Sequence, residues 1–226
     1  MKNTNKINII SIDELKKGLP NYSPKKADEF HLESAKLANM LFDEELKKIK
    51  NERIILMCGG SASGKTEFIE KFFIPNFSNF NGIIFDSTLS TAEGVKIKIK
   101  KIKKSGNKPE ICLILPNNLK RAFAAFHKRD RKIPEYRFYE THCGSREVAL
   151  FVAKNYPDIP IAVYSSFYYS DNITEHLLFM PIRAQNIKSL LTKILLSKAL
   201  IKKDIRSKKD SDLLASLGYK FLYKKL

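Results

Sequence analysis

Eight consecutive residues carry the clearest chemistry in the chain: Gly59, Gly60, Ser61, Ala62, Ser63, Gly64, Lys65 and Thr66. They fit the pattern G-x-x-x-x-G-K-[ST] at every fixed position. Small residues let the backbone curl until several N–H groups converge, which suits phosphate oxygens. A helix opening at Lys65 adds the positive end of its dipole. The Lys65 ammonium can reach β- and γ-phosphates, and the Thr66 hydroxyl can ligate Mg²⁺. The apolar run "RIILMC" (53–58) leads in as a strand. At roughly 7% glycine usage, chance produces this pattern about once in a hundred chains of this length. ATP with Mg²⁺ is the expected ligand pair.

Other residues could complete a transfer site. "IIFDSTLST" (83–91) reads as a strand ending in Asp86, which puts a carboxylate beside Mg²⁺ or a reacting hydroxyl. Thr88 follows, either to hold an acceptor group or to cap a turn. "LKRAFAAFHKRDRKIPEYRF" (119–138) brings Arg121, Arg129, Arg131 and Arg137, and Arg146 comes later. Guanidinium forks match phosphoryl oxygens and the charge that spreads over them during transfer. Arg129 and Arg131 stand just before Ile133-Pro134, where the chain leaves its helix, so both are free to turn toward a nucleotide. His127 and His142 read as structural or surface residues. No N-K-x-D signature follows the loop, which argues against a GTPase switch, and nothing resembles a motor's sensor arm. A short chain with late arginines looks more like a small-molecule kinase.

These residues need elements to hold them. "INIISID" (7–13) predicts a buried strand ending in acids, and "GLPNYSPKKAD" (18–28) a loop. Leu32, Ala35, Ala38, Phe42, Leu46 and Ile49 recur at helical spacing, predicting an amphipathic helix over 28–50. A helix from Lys65 to Phe73 and a strand over 82–86 follow. Ser90 and Glu93 make a capping-box pattern that opens a helix through the lysine run at 96–104. "EICLIL" (110–115) predicts a strand, Asn117 or Asn118 caps a helix toward Arg131, and Pro134 starts another to about 155. "IPIAVYSS" (159–166) predicts a further strand, and two basic helices (184–203 and 208–217) close the chain. Apolar strands alternating with amphipathic helices imply an α/β fold with a mostly parallel sheet covered on both faces. The 226 residues fit one domain, residues 1–226, with 184–226 a basic helical extension.

The net charge is +17, from 41 Lys plus Arg against 24 Asp plus Glu. Such a field attracts phosphates, nucleic acid or anionic membranes, yet no zinc spacing, basic zipper or aromatic-basic pattern accompanies it. No segment has the length and apolarity of a membrane span, and no signal peptide is visible. Cys58, Cys112 and Cys143 lack CxxC spacing and read as reduced core residues of a cytoplasmic protein.

Three segments in order, "GGSASGKTEF", "IIFDSTLSTAEG" and "LILPNNLKRAFAAFHKRDRKIP", resemble the zeta toxin family of phosphate-loop kinases. In that family a strand ending in acid-Gly-Thr follows the loop; here Asp86, Ser87 and Thr88 stand there, with serine in place of glycine. The resemblance covers roughly residues 53–165 and implies a P-loop NTPase-type sheet. The family's substrate segment normally follows the loop, and no room exists for it before Asp86. A similar segment, "IISIDELKKGLPNYSPKKADEFHLESAKLANMLFDEELKK", lies upstream. The implied arrangement is permuted in sequence and equivalent in space, which parallel strands joined by crossovers permit.

The resemblance then implies Asp13 as general base, with Asp86 second, and Tyr22 beside the acceptor. It implies transfer of the ATP γ-phosphate to a small-molecule hydroxyl, with a UDP-amino sugar such as UDP-N-acetylglucosamine as the family's acceptor, and an antitoxin-like protein partner. Two other readings stay open: a nucleic-acid kinase or nucleotide-dependent nucleic-acid binder using the basic field, and an ATP-binding interaction module without turnover.

Overall fold

The computed structural model describes residues 7–168 and 177–207. Its centre is a sheet ordered β1-β3-β2-β4-β5-β6. The strands are β1 (Asn8–Ser11), β2 (Arg53–Cys58), β3 (Gly82–Asp86), β4 (Lys108–Pro116), β5 (Ile161–Tyr168) and β6 (Leu177–Pro181). All neighbours run parallel except β6, which pairs antiparallel with β5. β6 is a strand that the sequence analysis does not expect.

Alternation along each strand sends side chains to two cores. Ile54, Leu56 and Cys58 of β2 join Ile83, Phe85, Leu113 and Val163 on one face. That face lies under α2 (His31–Lys48), α5 (Ala92–Lys104), α7 (Tyr136–Asn155) and α8 (Ile187–Lys193). Ile55, Met57, Ile84, Cys112 and Ile114 face the other way, against Phe68, Ile69 and Phe73. Those aromatics sit on one continuous helix after the glycine-rich loop. It begins as α3 (Lys65–Glu67), widens to a π-helical turn over Phe68–Phe73, and ends as α4 (Ile74–Asn76). Because both faces are covered, the strands read as apolar runs rather than alternating ones. A third core joins α6 (Leu119–Lys128), α7 and α9 (Lys198–Arg206) to the loop through Ala62. Ile201 of α9 is fully buried there.

Several boundaries differ from the sequence reading. The first strand stops at Ser11, and α1 (Ile12–Lys17) starts at once. The Ser11 hydroxyl accepts from the Glu14 amide at 3.5 Å, and Asp13 and Glu14 occupy the helix's positive end. Asp13 therefore rides the first turn of a helix instead of ending a strand. The cap of α5 is Thr91, whose hydroxyl accepts from the Gly94 amide at 3.2 Å; Ser90 lies one residue outside. In place of one helix over 184–203 there are two, α8 and α9, the second running on to Arg206, each with its own cap, Asn186 and Ser197. The helix expected over 208–217 lies outside the described residues.

The lysine run on α5 is largely tied down. Lys98 donates to Asn39 at 2.6 Å, Lys101 to Asp43 at 2.6 Å and Lys103 to Asp158 at 2.6 Å. Two of these join α5 to α2, so part of the basic surface is inter-helical pairing. Among the described residues, no helix is long and apolar enough to cross a membrane.

Candidate active site

The loop from Gly59 to Gly64 turns tightly where β2 leaves the sheet. Gly64 has φ 86° and Ala62 φ 60°, both in the left-handed region. Glycine takes that conformation freely and small alanine at modest cost, so the strain sits at the place where amides must converge. Gly60 is required for a different reason. A Cβ there would lie 2.2 Å from Cγ of His142. Two consecutive α7 residues hold Ser61. The Ser61 amide donates to Thr141 Oγ1 at 3.0 Å, and the Ser61 carbonyl is 2.9 Å from His142 Nε2. A carbonyl only accepts, so Nε2 carries the hydrogen. From the other side, the Ser166 hydroxyl donates to the Ser63 carbonyl at 2.8 Å.

Lys65 folds over this cradle. Its ammonium donates to the Gly59 carbonyl at 2.9 Å and the Gly60 carbonyl at 3.0 Å. Burial lowers its pKa, and the nearby Asp86 charge works against that fall. Thr66 Oγ1 donates to Asp86 Oδ2 at 3.3 Å, which ties the loop to the end of β3.

These groups open onto a cleft of about 840 Å³. Ser61 to Thr66, Asp86, Thr88, Arg129 and Arg131 line it, and so do Asp13 and Tyr22 from the N-terminal segment. The strand order explains the meeting. β1 pairs with β3 in the register Ser11↔Asp86, so the helix after β1 starts beside the acid that ends β3. Arg129 ends α6 with extended backbone (φ −65°, ψ 146°), which swings the following residues over the cleft. Arg131 forms an ion pair with Asp13. Beside it the Lys132 amide donates to the Pro24 carbonyl at 2.8 Å, and Arg137 lies 3.5 Å from Asp28. The arginine segment and the N-terminal segment are thus clasped across the opening. Arg121 is on α6, its amide capped by Asn118 at 3.1 Å, and does not line the cleft.

The two acids have opposite environments. Burial alone would raise Asp13, but Arg131, Lys16 and Arg129 outweigh it and hold the carboxyl at about 2. Burial raises Asp86, with Asp13 adding to the rise and Lys65 and Thr66 opposing it. The two carboxyl groups are therefore pushed apart in pKa. Asp13 stays ionised at any working pH. Asp86 needs a cation to hold its charge comfortably.

Sequence reasoning missed Lys16 and Thr141 here, and the Arg146 it set among the phosphoryl-facing arginines does not line the cleft. Lys16 is 3% exposed and sits against Asp13. Thr141, His142 and Arg146 form the wall behind the loop, with His142 and Arg146 fully buried. His142 is therefore neither at the surface nor a passive core residue. Burial first, then the Arg146 charge, keeps it far below an ordinary histidine pKa. All three cysteines are free and buried.

No family model matches the chain. A stretch of 53 residues is 42% identical to the transcriptional regulator GfcR of Picrophilus torridus, spanning 22% of this chain and 27% of that protein. The match thus covers about a quarter of the regulator's length. Among solved structures, AvrRxo1-ORF1:AvrRxo1-ORF2 with sulphate ions is similar at TM-score 0.49 and 14% identity, over 87% of this chain and 80% of that one. The native AvrRxo1-ORF1:-ORF2 complex gives TM-score 0.43 at 13% identity, over 88% and 89%.

The acid pair has a consequence for stability. Asp86 has a raised pKa in the folded chain, so its favourable contribution is present below the ordinary 3.8 and lost as pH rises through the raised value. Asp13 has the opposite sign: its contribution is present above 3.8 and lost as pH falls toward about 2. Asp86→Asn is therefore expected to raise the melting temperature of nucleotide-free, metal-free protein at about pH 7, with the gain vanishing toward about pH 4. Thermal melts across that range check it. A variant that melts lower at the neutral end would show that the carboxylate is well accommodated as an anion.

Proposed function

We propose that the chain is an ATP-dependent phosphotransferase, similar to zeta-toxin-like kinases, that moves the γ-phosphate of ATP to a hydroxyl of a small molecule. One observation carries the reading. A phosphate-loop lysine lies in one cleft with an arginine-paired, ionised Asp13 and a buried Asp86 bonded to the loop's Thr66.

In this reading the loop amides and Lys65 hold the β- and γ-phosphates. Asp13 accepts the proton of the acceptor hydroxyl. The acceptor oxygen forms a bond to the γ-phosphorus as the bond from that phosphorus to the β–γ bridging oxygen breaks, and ADP leaves. Arg129 and Arg131 face the charge that spreads over the transferring group. The donors at Thr66 and Asp86 are hard oxygens, the kind Mg²⁺ takes alongside substrate phosphates and water, and a buried acid with a raised pKa gains from a cation. Thr66 and Asp86 would hold Mg²⁺, which supplies neutralising charge at the phosphates when bound.

The acceptor side of the cleft carries Lys16, Lys17, His31 and Arg137 near Tyr22. The family resemblance makes a UDP-amino sugar the first acceptor to try. An antitoxin-like protein partner belongs to the same proposal through that resemblance. The experiment is transfer of labelled γ-phosphate with UDP-sugars, nucleosides and RNA ends offered in parallel. Label is expected on a small-molecule hydroxyl. Label on RNA ends would favour a nucleic-acid kinase. ATP bound with no phosphoryl transfer to any acceptor would sink the enzyme reading.

A further inference from the structure

Arg146 is the largest fully buried side chain among the described residues. It lies on α7 one helical turn beyond His142. Its Nη1 donates to the His142 carbonyl at 2.6 Å and stands 3.5 Å from His142 Nδ1. Its Nε and Nη2 have no hydrogen-bond partner among the described residues. No carboxylate among the described residues compensates the charge. The titratable groups nearest to it are the thiols of Cys143 and Cys58. Burial pushes Cys58 up to about 12 and raises Cys143 as well, so both are neutral. Burial brings Arg146 itself down to about 10, which still leaves it a cation.

A buried, uncompensated cation is costly, and proteins retain one where something balances it. The histidine in front shows which way the field points. His142 Nε2 donates to the Ser61 carbonyl, so Nδ1 is left as an acceptor facing Arg146. Burial first, and then the adjacent guanidinium, keep the ring from taking a second proton. Lys65, Arg129 and Arg146 all act on this one imidazole. Three cations therefore converge on the phosphate loop, one of them from behind. On the cleft side, Asp13 pairs with Arg131 and the Asp86 charge offsets Lys65, which leaves Arg146 without a counter-charge among the described residues. The unbalanced charge faces the cradle.

We infer that Arg146 is a positioning residue for the nucleotide phosphates: acting through His142, it holds the Ser61 peptide in place and supplies a buried positive charge that gains its counter-ion when a phosphate chain fills the loop. The inference rests on the phosphate-loop reading above. It takes a residue outside the loop, with no contact to the cleft, and gives it a sign that a packing role lacks. Without ligand the charge destabilises the fold; with ligand it strengthens binding. Arg146→Met keeps most of the volume and removes the charge. Arg146→Lys keeps a charge.

The test is calorimetric titration of ATP with Mg²⁺ into the full chain, together with thermal melts without nucleotide, for wild type and both variants. Arg146→Met is expected to melt at or above wild type without nucleotide and to bind ATP about tenfold more weakly or worse, as loss of one charge several ångströms from the phosphates implies. Arg146→Lys should bind within about threefold of wild type. A second pair reads the same wall: His142→Gln keeps a donor for the Ser61 carbonyl and should bind ATP more tightly than His142→Phe. Wild type and Arg146→Met binding ATP equally would overturn this inference and leave the nucleotide reading standing. An Arg146→Met protein that melts below wild type or fails to fold marks a packing residue, and overturns it too. Wild-type protein that binds no ATP overturns the nucleotide reading and this inference together.

Discussion

Lys65→Ala is expected to cut γ-phosphoryl transfer by about a thousandfold while the chain stays folded. The size follows from charge and distance. An ammonium about 4 Å from one phosphate charge is worth about 4 kcal/mol at the effective dielectric of a partly buried site, close to three decades in rate. Lys65 is suited to that work because the fold has already desolvated it: burial depresses its pKa and Asp86 is the nearest counter-charge. In the nucleotide-free chain it bonds the carbonyls of Gly59 and Gly60. Those bonds are a resting place and not a structural need, because α7 and the Ser166 hydroxyl grip the loop independently. The melting temperature should therefore change far less than the rate. Lys65→Arg should recover only a small part of the activity, since a planar fork does not fit a cradle built around one point charge. The measurement is single-turnover transfer from labelled ATP alongside thermal melts. An alanine variant that consumes ATP at the wild-type rate would refute the proposed chemistry.

What the sequence discloses divides along a physical line. The loop, β2 and β3 were legible because both causes are local. The turn needs glycines at fixed offsets, and a strand buried on both faces needs an unbroken apolar run, as in "RIILMC" and "GIIFD". The end of α6 was legible only roughly: the sequence carries the helix toward Arg131, whereas it stops at Lys128 and Arg129 is already extended. Element edges were less so. α1 is six residues long, and the apolar run before it continues through Ile12, so the strand pattern masks the Ser11 cap. β6 is a five-residue antiparallel edge strand whose partner β5 sets its place, and an apolar run that short does not by itself distinguish strand from helix. The meeting of Asp13 with Asp86 depends on β1 lying beside β3 across the crossovers that separate them. Strand order is a property of the whole sheet, so family resemblance could suggest that neighbourhood and periodicity could not. Least legible were Lys16, His142 and Arg146. Charged or polar residues on a helix normally face water, and only the packed fold shows that these three do not.

Asp13→Asn carries the second large expectation: transfer falls by about a hundred- to ten-thousandfold, the usual range for losing a positioned general base, while ATP binding holds or tightens. Asparagine keeps the size of aspartate and can still accept from Arg131 through its amide oxygen, so the clasp across the cleft survives in weaker form. It cannot take a proton. Arg131 meanwhile loses a full negative partner and becomes more available to phosphate, and for that reason affinity for ATP should not drop. A loss of rate without a loss of affinity separates a base from a binding residue. The pH profile adds an independent reading. Asp13 is held at about 2 by Arg131, Lys16 and Arg129 against the effect of burial. It is fully ionised across the range where the protein folds, so no acid limb from this base should appear between about pH 5 and pH 8. An acid limb near pH 6 would point instead to a histidine, and His31 lines the same wall. Asp86 is the competitor for the role, and it is poorly placed to win. It is bonded to Thr66, and a base engaged with a cation has little capacity left for a substrate proton. Asp86→Asn should therefore weaken both transfer and the Mg²⁺ dependence of ATP binding, whereas Asp13→Asn should weaken transfer alone. If the Asp13→Asn protein transfers at the wild-type rate, Asp13 is an ion-pair partner that orders Arg131, and the proton goes elsewhere.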